Sequence, residues 1–134
     1  MDLAQTMIVA GIGCKSGVSE EEVLAAIRAA LGAHDLEAEE LEALAVPEQK
    51  TGEPAIHAAA QALGLVVLVI GRTELANAGD RTVTRSNRSL EATGAPSASE
   101  AAALAAIGPK GKLLGPRVAV GPVTCALASD EVLP

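Results

Sequence analysis

The sequence predicts an α/β protein, a three-layer α/β/α sandwich around a mixed, mostly parallel sheet. Apolar runs of strand length alternate along the chain with segments whose apolar residues recur at helical spacing, a pattern typical of this class. The chain has 134 residues, no linker divides it, and no unit of roughly 20–50 residues repeats. We therefore expect residues 1–134 to form a single domain.

A strand followed by a glycine-rich turn is predicted near the start of the chain. Residues 7–10 are apolar at every position and lead into the segment 11–17, whose glycines are Gly11, Gly13 and Gly17. A buried strand that enters a turn has this pattern, because glycine tolerates backbone conformations that other residues avoid.

A capped helix is predicted after this turn. Ser19 and Glu22 have the spacing of a capping box, and apolar residues recur at helical intervals from there to Gly32. Residues 44–46 then predict a weaker strand, which Pro47 ends.

A second helix and a fully apolar strand are predicted next. Pro54 suits the first position of a helix, and Gly64 is a typical residue to end it. Residues 65–70 are apolar at every position, as in a central strand that helices cover on both faces. This segment therefore predicts the middle of the sheet.

The remaining segments alternate again. Residues 73–76 predict a short helix, and the polar stretch 80–89, with Arg81, Arg85 and Arg88, predicts a loop that is either solvated or ordered by an anion.

A last helix and two strands are predicted at the C-terminal end. Ser97 and Glu100 repeat the spacing of a capping box before an alanine-rich helix that runs to Ile107. Residues 118–120 and 123–127 flank a Gly-Pro turn and suit two short antiparallel strands.

The composition excludes several functional classes. Phe, Tyr and Trp are absent and the formal net charge is −7, so the aromatic platforms and positive field typical of nucleic-acid binding are missing. No apolar run is long enough for a bilayer, and we expect a cytoplasmic protein that binds no membrane. Cys14 and Cys125 lie far apart, which favours free thiols over a metal site, and no motif predicts a cofactor.

The segment 11–17 is the strongest local signal for a binding site. Its glycines let backbone amides approach an anion, and the N-terminus of the helix that follows adds positive potential. Its spacing fits neither a dinucleotide fingerprint nor a P-loop, so a plain tight turn is an equal alternative. Beside Lys15, Cys14 is either a nucleophile with a lowered thiol pKa or a small residue that fills the turn.

Four motifs in sequence order resemble the cobalamin-biosynthesis family of CobE and the CbiG C-terminal domain. They are GIGCK-x-G at 11–17, K-x-x-E at 50–53, S-x-SEAAAL at 97–104 and VT-x-A-x-A at 123–128. The resemblance runs from residue 8 to residue 128. It implies a role in building the corrin ring, whose precursors carry many acetate and propionate carboxylates.

By this resemblance, the expected ligand is a precorrin-type tetrapyrrole intermediate, and other cobalamin-biosynthesis enzymes are candidate partners. In open α/β sheets, ligands collect where loops leave the carboxyl ends of the strands, and the first motifs emerge there. The expected ligand-binding residues are Gly11, Gly13, Cys14, Lys15, Gly17, Lys50, Glu53, Ser86, Ser97 and Glu100.

Two functions stay open at this point. The preferred one is a protein that binds or carries such an intermediate. The alternative is a hydrolase that opens the lactone of a cobalt-precorrin, with Glu53 or Glu100 as general base, although no complete catalytic set is visible. Each residue also has a structural alternative: Lys50 and Glu53 form an ion pair, and Ser97 and Glu100 form a capping box.

Overall fold

The computed structural model describes residues 7–86, 90, 95 and 97–130. Its helices are α1 (Glu20–Ala33), α2 (Pro54–Leu63), α3 (Arg72–Ala78) and α4 (Ala98–Ile107). Its strands are β1 (Ile8–Cys14), β2 (Leu41–Pro47), β3 (Val66–Ile70), β4 (Lys112–Leu113), β5 (Val118–Val120) and β6 (Val123–Ser129). Across these ranges, none of the helices has the length and apolar composition that a membrane crossing needs.

The strands form one mixed sheet in the order β3-β2-β1-β6-β4, with β5 also paired to β6. β1, β2 and β3 run parallel, and β6 runs antiparallel to β1, β4 and β5. In the described sheet, β6 is therefore the only strand that opposes the others. α1 and α2 cover one face and α3 and α4 cover the other, each with its own apolar cluster. The predicted three-layer sandwich with a mixed, mostly parallel sheet is confirmed.

The ends of the first two helices follow their sequence signals. The Ser19 hydroxyl accepts a hydrogen bond from the Glu22 amide at 3.1 Å, and the Glu22 carboxylate accepts one from the Ser19 amide at 2.9 Å. Pro54 is the first residue of α2, and Gly64 ends it in the left-handed conformation with φ of 71°. The predicted capping box and both boundaries of α2 are confirmed.

β3 lies at the edge of the sheet, so its predicted central position is wrong. It pairs with β2 alone among the described strands, and its side chains of Val66 and Val69 are 62% and 53% exposed. The sheet is centred instead on β1, between β2 and β6. A uniformly apolar sequence indicates a strand but does not fix its place in the sheet, because that place depends on pairing with distant segments.

β1 is longer than predicted, since it continues through Gly11 and Gly13 to Cys14. The glycines lie on the face that α4 covers. A Cβ atom on Gly11 would overlap the carbonyl oxygen of Ser99 and lie 2.8 Å from the amide nitrogen of Ala103. The absent side chain thus allows the backbone of α4 to lie directly against the sheet.

Replacing Gly11 with Ala tests this close approach. The new Cβ atom would meet backbone atoms of α4, which a rotamer change does not relieve, so we expect a loss of about 1–3 kcal/mol in the free energy of unfolding. Urea unfolding followed by far-UV circular dichroism measures it, because the chain contains no Trp or Tyr for fluorescence.

The matched control is Gly32→Ala. Gly32 lies inside α1, and apart from its chain neighbours and the adjacent helix backbone no atom lies within 4 Å of the position of its Cβ, so alanine there should stabilise the protein by roughly 0.5–1 kcal/mol. Equal effects of the two substitutions would contradict the packing of α4 on Gly11.

Candidate ligand-binding site

The carboxyl ends of β1, β2 and β3 meet at one edge of the sheet, here called the carboxyl edge, formed by residues 14–17, 47–53 and 70–72. α1, α2 and α3 each begin just after one of these strand ends. α4 also begins at this edge, because the amide nitrogen of Ser99 lies 3.5 Å from the position of a Cβ atom on Gly13. Helix N-termini carry positive potential and unpaired amides, so the edge suits a negatively charged ligand.

The first two sequence motifs come together at the carboxyl edge. The amide of Gly17 donates a hydrogen bond to Oε1 of Glu53 at 3.0 Å, which joins the turn after β1 to the segment before α2. Lys50 and Glu53 both lie close enough to Cys14 to affect the pKa of its thiol. The alternative ion pair between Lys50 and Glu53 is not found in the described part of the chain.

Lys15 also belongs to this edge. Its amide donates a hydrogen bond to the carbonyl oxygen of Pro122 at 3.2 Å, which links the turn after β1 to the turn before β6. Its side chain is exposed, whereas Lys50 is half-buried. Arg72, the first residue of α3, is also exposed, so the edge carries two cations at the surface and one partly enclosed.

Burial raises the pKa of both cysteine thiols, which disfavours their thiolate forms. Burial is the main cause that raises the pKa of Cys14; Lys50 lowers that pKa and Glu53 raises it further. Burial raises the pKa of Cys125, which is fully enclosed, to about 12. The hypothesis of an activated Cys14 thiolate is contradicted, and the alternative, a small residue packed at the end of β1, is favoured.

Glu100 is completely buried and accepts four hydrogen bonds. Its Oε1 accepts from the amides of Val83 and Thr84 at 2.8 and 2.9 Å. Its Oε2 accepts from the Thr84 hydroxyl at 2.6 Å and from the Arg117 amide at 2.9 Å. The predicted capping box with Ser97 is therefore wrong, because donors from two other segments bind the carboxylate instead of the Ser97 amide.

Ser97 and Ser99, here called the serine pair, flank the first residue of α4. Ser97 occupies the N-cap position, but its side chain makes no capping hydrogen bond. Both residues are fully buried, and within the described ranges neither hydroxyl has a hydrogen-bond partner. Polar groups enclosed in this way are rare in folded proteins.

Within the described part of the polar stretch, residues 80–86, Arg81 is bound by backbone carbonyl groups of the protein itself. The guanidinium of Arg81 donates to the carbonyl oxygens of Gly108 and Gly111 at 3.2 and 3.1 Å, so it stabilises the chain after α4. Ser86 is half-buried, and its carbonyl oxygen accepts from the Leu90 amide at 3.0 Å. Arg88 lies outside the described residues.

Sequence reasoning missed two residues of this region. Ser99 was seen only as part of a motif, and Thr124 not as a site residue, although the Thr124 hydroxyl donates to the carbonyl oxygen of Gly13 at 3.3 Å. Neither residue carries a local signal, because both reach β1 from distant segments. Among the described residues, no three acidic, histidine or cysteine side chains cluster as metal ligands do.

Comparison with known proteins gives a clear result. Residues 8–128 match the family described as cobalamin synthesis G C-terminus. The chain belongs to this family. It is a cobalamin biosynthesis protein of the CbiG and CobE type, and the resemblance read from the four motifs is confirmed. No curated protein shows significant sequence similarity to it.

Three solved structures are similar to this cobalamin synthesis G C-terminal protein. CobE, a protein from the cobalamin (vitamin B12) biosynthetic pathway, is 33% identical, with a TM-score of 0.90 over 99% of this chain and 96% of its own. The cobalamin biosynthesis protein chiG from Agrobacterium tumefaciens str. C58 is 39% identical, with a TM-score of 0.72 over 91% and 97%. A cobalamin biosynthesis protein G homolog from Sulfolobus solfataricus shares the fold at 20% identity, with a TM-score of 0.64 over 93% of this chain and 37% of that one.

The buried thiol of Cys125 predicts a specific pH dependence of stability. Its pKa in the folded state is about 12 against an ordinary thiol value of 9.0, so above pH 9 the folded state holds a proton that the unfolded state releases. The free energy of unfolding should therefore be independent of this thiol below pH 9 and fall by about 1.4 kcal/mol per pH unit above it.

Urea unfolding between pH 7 and roughly pH 10.5 measures this slope, and Cys125→Ala is the control. The alanine variant should lack the contribution of Cys125 while keeping that of Cys14, whose pKa burial also raises, and the chain contains no tyrosine. Identical slopes in the two proteins would show that the thiol is not protected by burial.

Proposed function

We propose that this protein binds a carboxylate-rich precorrin or corrinoid intermediate at the carboxyl edge and carries it between enzymes of cobalamin biosynthesis. The observation that carries the proposal is the hydrogen bond from Gly17 to Glu53, which joins the glycine-rich turn to the segment of Lys50. Family motifs that are 36 residues apart in sequence thereby border one another.

The charges of the edge suit such a ligand. The protein has a net charge of −7, so a polyanion is attracted only where cations and helix N-termini are concentrated. At this edge the cations Lys15, Lys50 and Arg72 outnumber the carboxylates of Glu48 and Glu53, and α1 and α2 start there. Acetate and propionate groups around a corrin ring would reach these donors from one side of the ring.

The chemistry of the nearby residues favours binding over catalysis. Glu100 is enclosed, and each of its oxygens already accepts two hydrogen bonds, so it is poorly placed to take a proton from water. The Cys14 thiol, whose pKa burial raises, is a poor nucleophile. Glu53, half-buried at the edge, is the base on which lactone hydrolysis would depend.

The proposal also includes a location in the cytoplasm. Cys14 and Cys125 are both free thiols, which fits the reducing cytoplasm. A carrier must pass its ligand on, so the enzymes that supply and consume the intermediate are its expected partners.

Equilibrium dialysis with cobyrinic acid, a corrinoid with free carboxylates, tests binding. We expect binding that weakens as salt rises, and an affinity for the methyl ester that is lower because the ester carries no charge. Lys50→Met should weaken binding roughly tenfold, the equivalent of about 1.4 kcal/mol. Lys110→Met is the matched control, since Lys110 is exposed beyond the C-terminal end of α4.

Equal affinity for the acid and its ester, or equal losses in the two lysine variants, would contradict a carboxylate site at this edge. Incubation with a lactone-bearing cobalt-precorrin separates carrier from hydrolase. A carrier returns ligand of unchanged mass, whereas repeated turnover with release of acetaldehyde, abolished by Glu53→Gln, would replace the carrier proposal with hydrolysis.

A further inference from the structure

The serine pair is the feature of the fold that packing alone does not account for. Ser97 and Ser99 are both 0% exposed, and neither hydroxyl has a hydrogen-bond partner among the described residues. An enclosed hydroxyl without a partner costs the free energy of its lost hydration. Two of them lie two residues apart at the start of one helix.

The composition of α4 makes their presence informative. Six of its ten residues are alanine, and its buried face includes Ala101, Ala102 and Ala103. Alanine at the positions of the serine pair would fill nearly the same space without an unpaired polar atom. The hydroxyls are therefore better explained by a ligand than by the packing of the helix.

The surroundings of the pair define the kind of ligand. The first turn of an α-helix presents backbone amides and positive potential, and α4 is long enough, at ten residues, to have such a terminus. The two hydroxyls add donors beside it. The carboxylate of Glu100, in the first turn of the helix, already accepts hydrogen bonds from four donors in other segments.

We propose that the serine pair and the N-terminus of α4 bind one carboxylate of the ligand, with the two hydroxyls donating to its oxygens. Both serines are fully buried, so the proposed ligand group is the end of an acetate-type side chain rather than the ring. Gly13 lies next to it at the end of β1, where a Cβ atom would stand 3.5 Å from the Ser99 amide nitrogen and 2.8 Å from the Thr124 hydroxyl.

This inference rests on the proposed function and extends the proposed site to the second face of the sheet. Val9, one of the alternate β1 residues on the side of Gly11 and Gly13, packs with α4, whereas Ile8 and Ile12 pack with α1 and α2. The ligand would therefore be held at the carboxyl edge from both sides of the sheet, by Lys50 on one and by the serine pair on the other.

The double variant Ser97→Ala/Ser99→Ala tests the proposal through two independent readouts. Without ligand, its melting temperature should equal or exceed that of the parent, because two unpaired hydroxyls are removed. Its affinity for cobyrinic acid should fall roughly tenfold or more. Ser19→Ala, which removes a serine that does cap its helix, is the comparison and should lower the melting temperature.

A purely structural role for the pair predicts the reverse, a lower melting temperature with unchanged affinity, and that result would overturn the proposal. Sodium acetate, matched in ionic strength with sodium chloride, keeps the test separate from the proposed function. If cobyrinic acid does not bind but acetate raises the melting temperature of the parent and not of the double variant, the carboxylate site stands and the proposed function fails. If cobyrinic acid binds both proteins equally, the proposed function stands and the serine pair is not part of the site.

Discussion

The carboxylate of Glu100 holds together the parts of the molecule that build the candidate site. It lies in the first turn of α4 and accepts hydrogen bonds from Val83, Thr84 and Arg117, in segments that come before and after that helix. A charge buried without partners would destabilise the fold strongly, and four donors offset this cost. The position of the α4 N-terminus, and with it the serine pair, therefore depends on this one side chain.

The close packing of α4 on the sheet depends on small residues as well. The backbone of α4 reaches the centre of the sheet because Gly11 has no side chain and because α4 itself is rich in alanine. A chain without aromatic residues fills its core by close approach of backbones rather than by large side chains. Two of the three glycines in the predicted anion-binding segment thus lie in β1, where Gly11 allows close packing and Gly13 borders the proposed carboxylate site.

Local signals predicted the local structure. The capping box at Ser19 and Glu22, the proline that begins α2 and the glycine that ends it each act within a few residues, so the sequence reveals them. Ser97 and Glu100 have the same spacing as Ser19 and Glu22, but form no box. The groups that donate hydrogen bonds to Glu100 lie 16 or 17 residues away in sequence. No sequence pattern within the helix predicts them.

The order of the strands in the sheet depends on pairing between distant segments, which the sequence did not reveal. The apolar run 65–70 predicts a strand but not that β3 is an edge strand, while β1, with its glycines, is the centre of the sheet. Of the candidate site, the motifs at 11–17 and 50–53 were predicted to meet, and they do so through Gly17 and Glu53. Ser97 was among the expected ligand-binding residues, but Ser99 was not, and the lack of a hydrogen-bond partner for either hydroxyl is a property of the folded state.

The substitution Glu100→Gln measures the central interaction directly. The amide group of glutamine would present a donor to two of the four donors, so we expect a loss of about 2–4 kcal/mol in the free energy of unfolding, with faster amide exchange at Val83, Thr84 and Arg117. Glu42→Gln, at an exposed position of β2, is the matched control and should change stability by less than about 0.5 kcal/mol. A Glu100→Gln protein as stable as this control, with the same amide protection as the parent, would contradict the account.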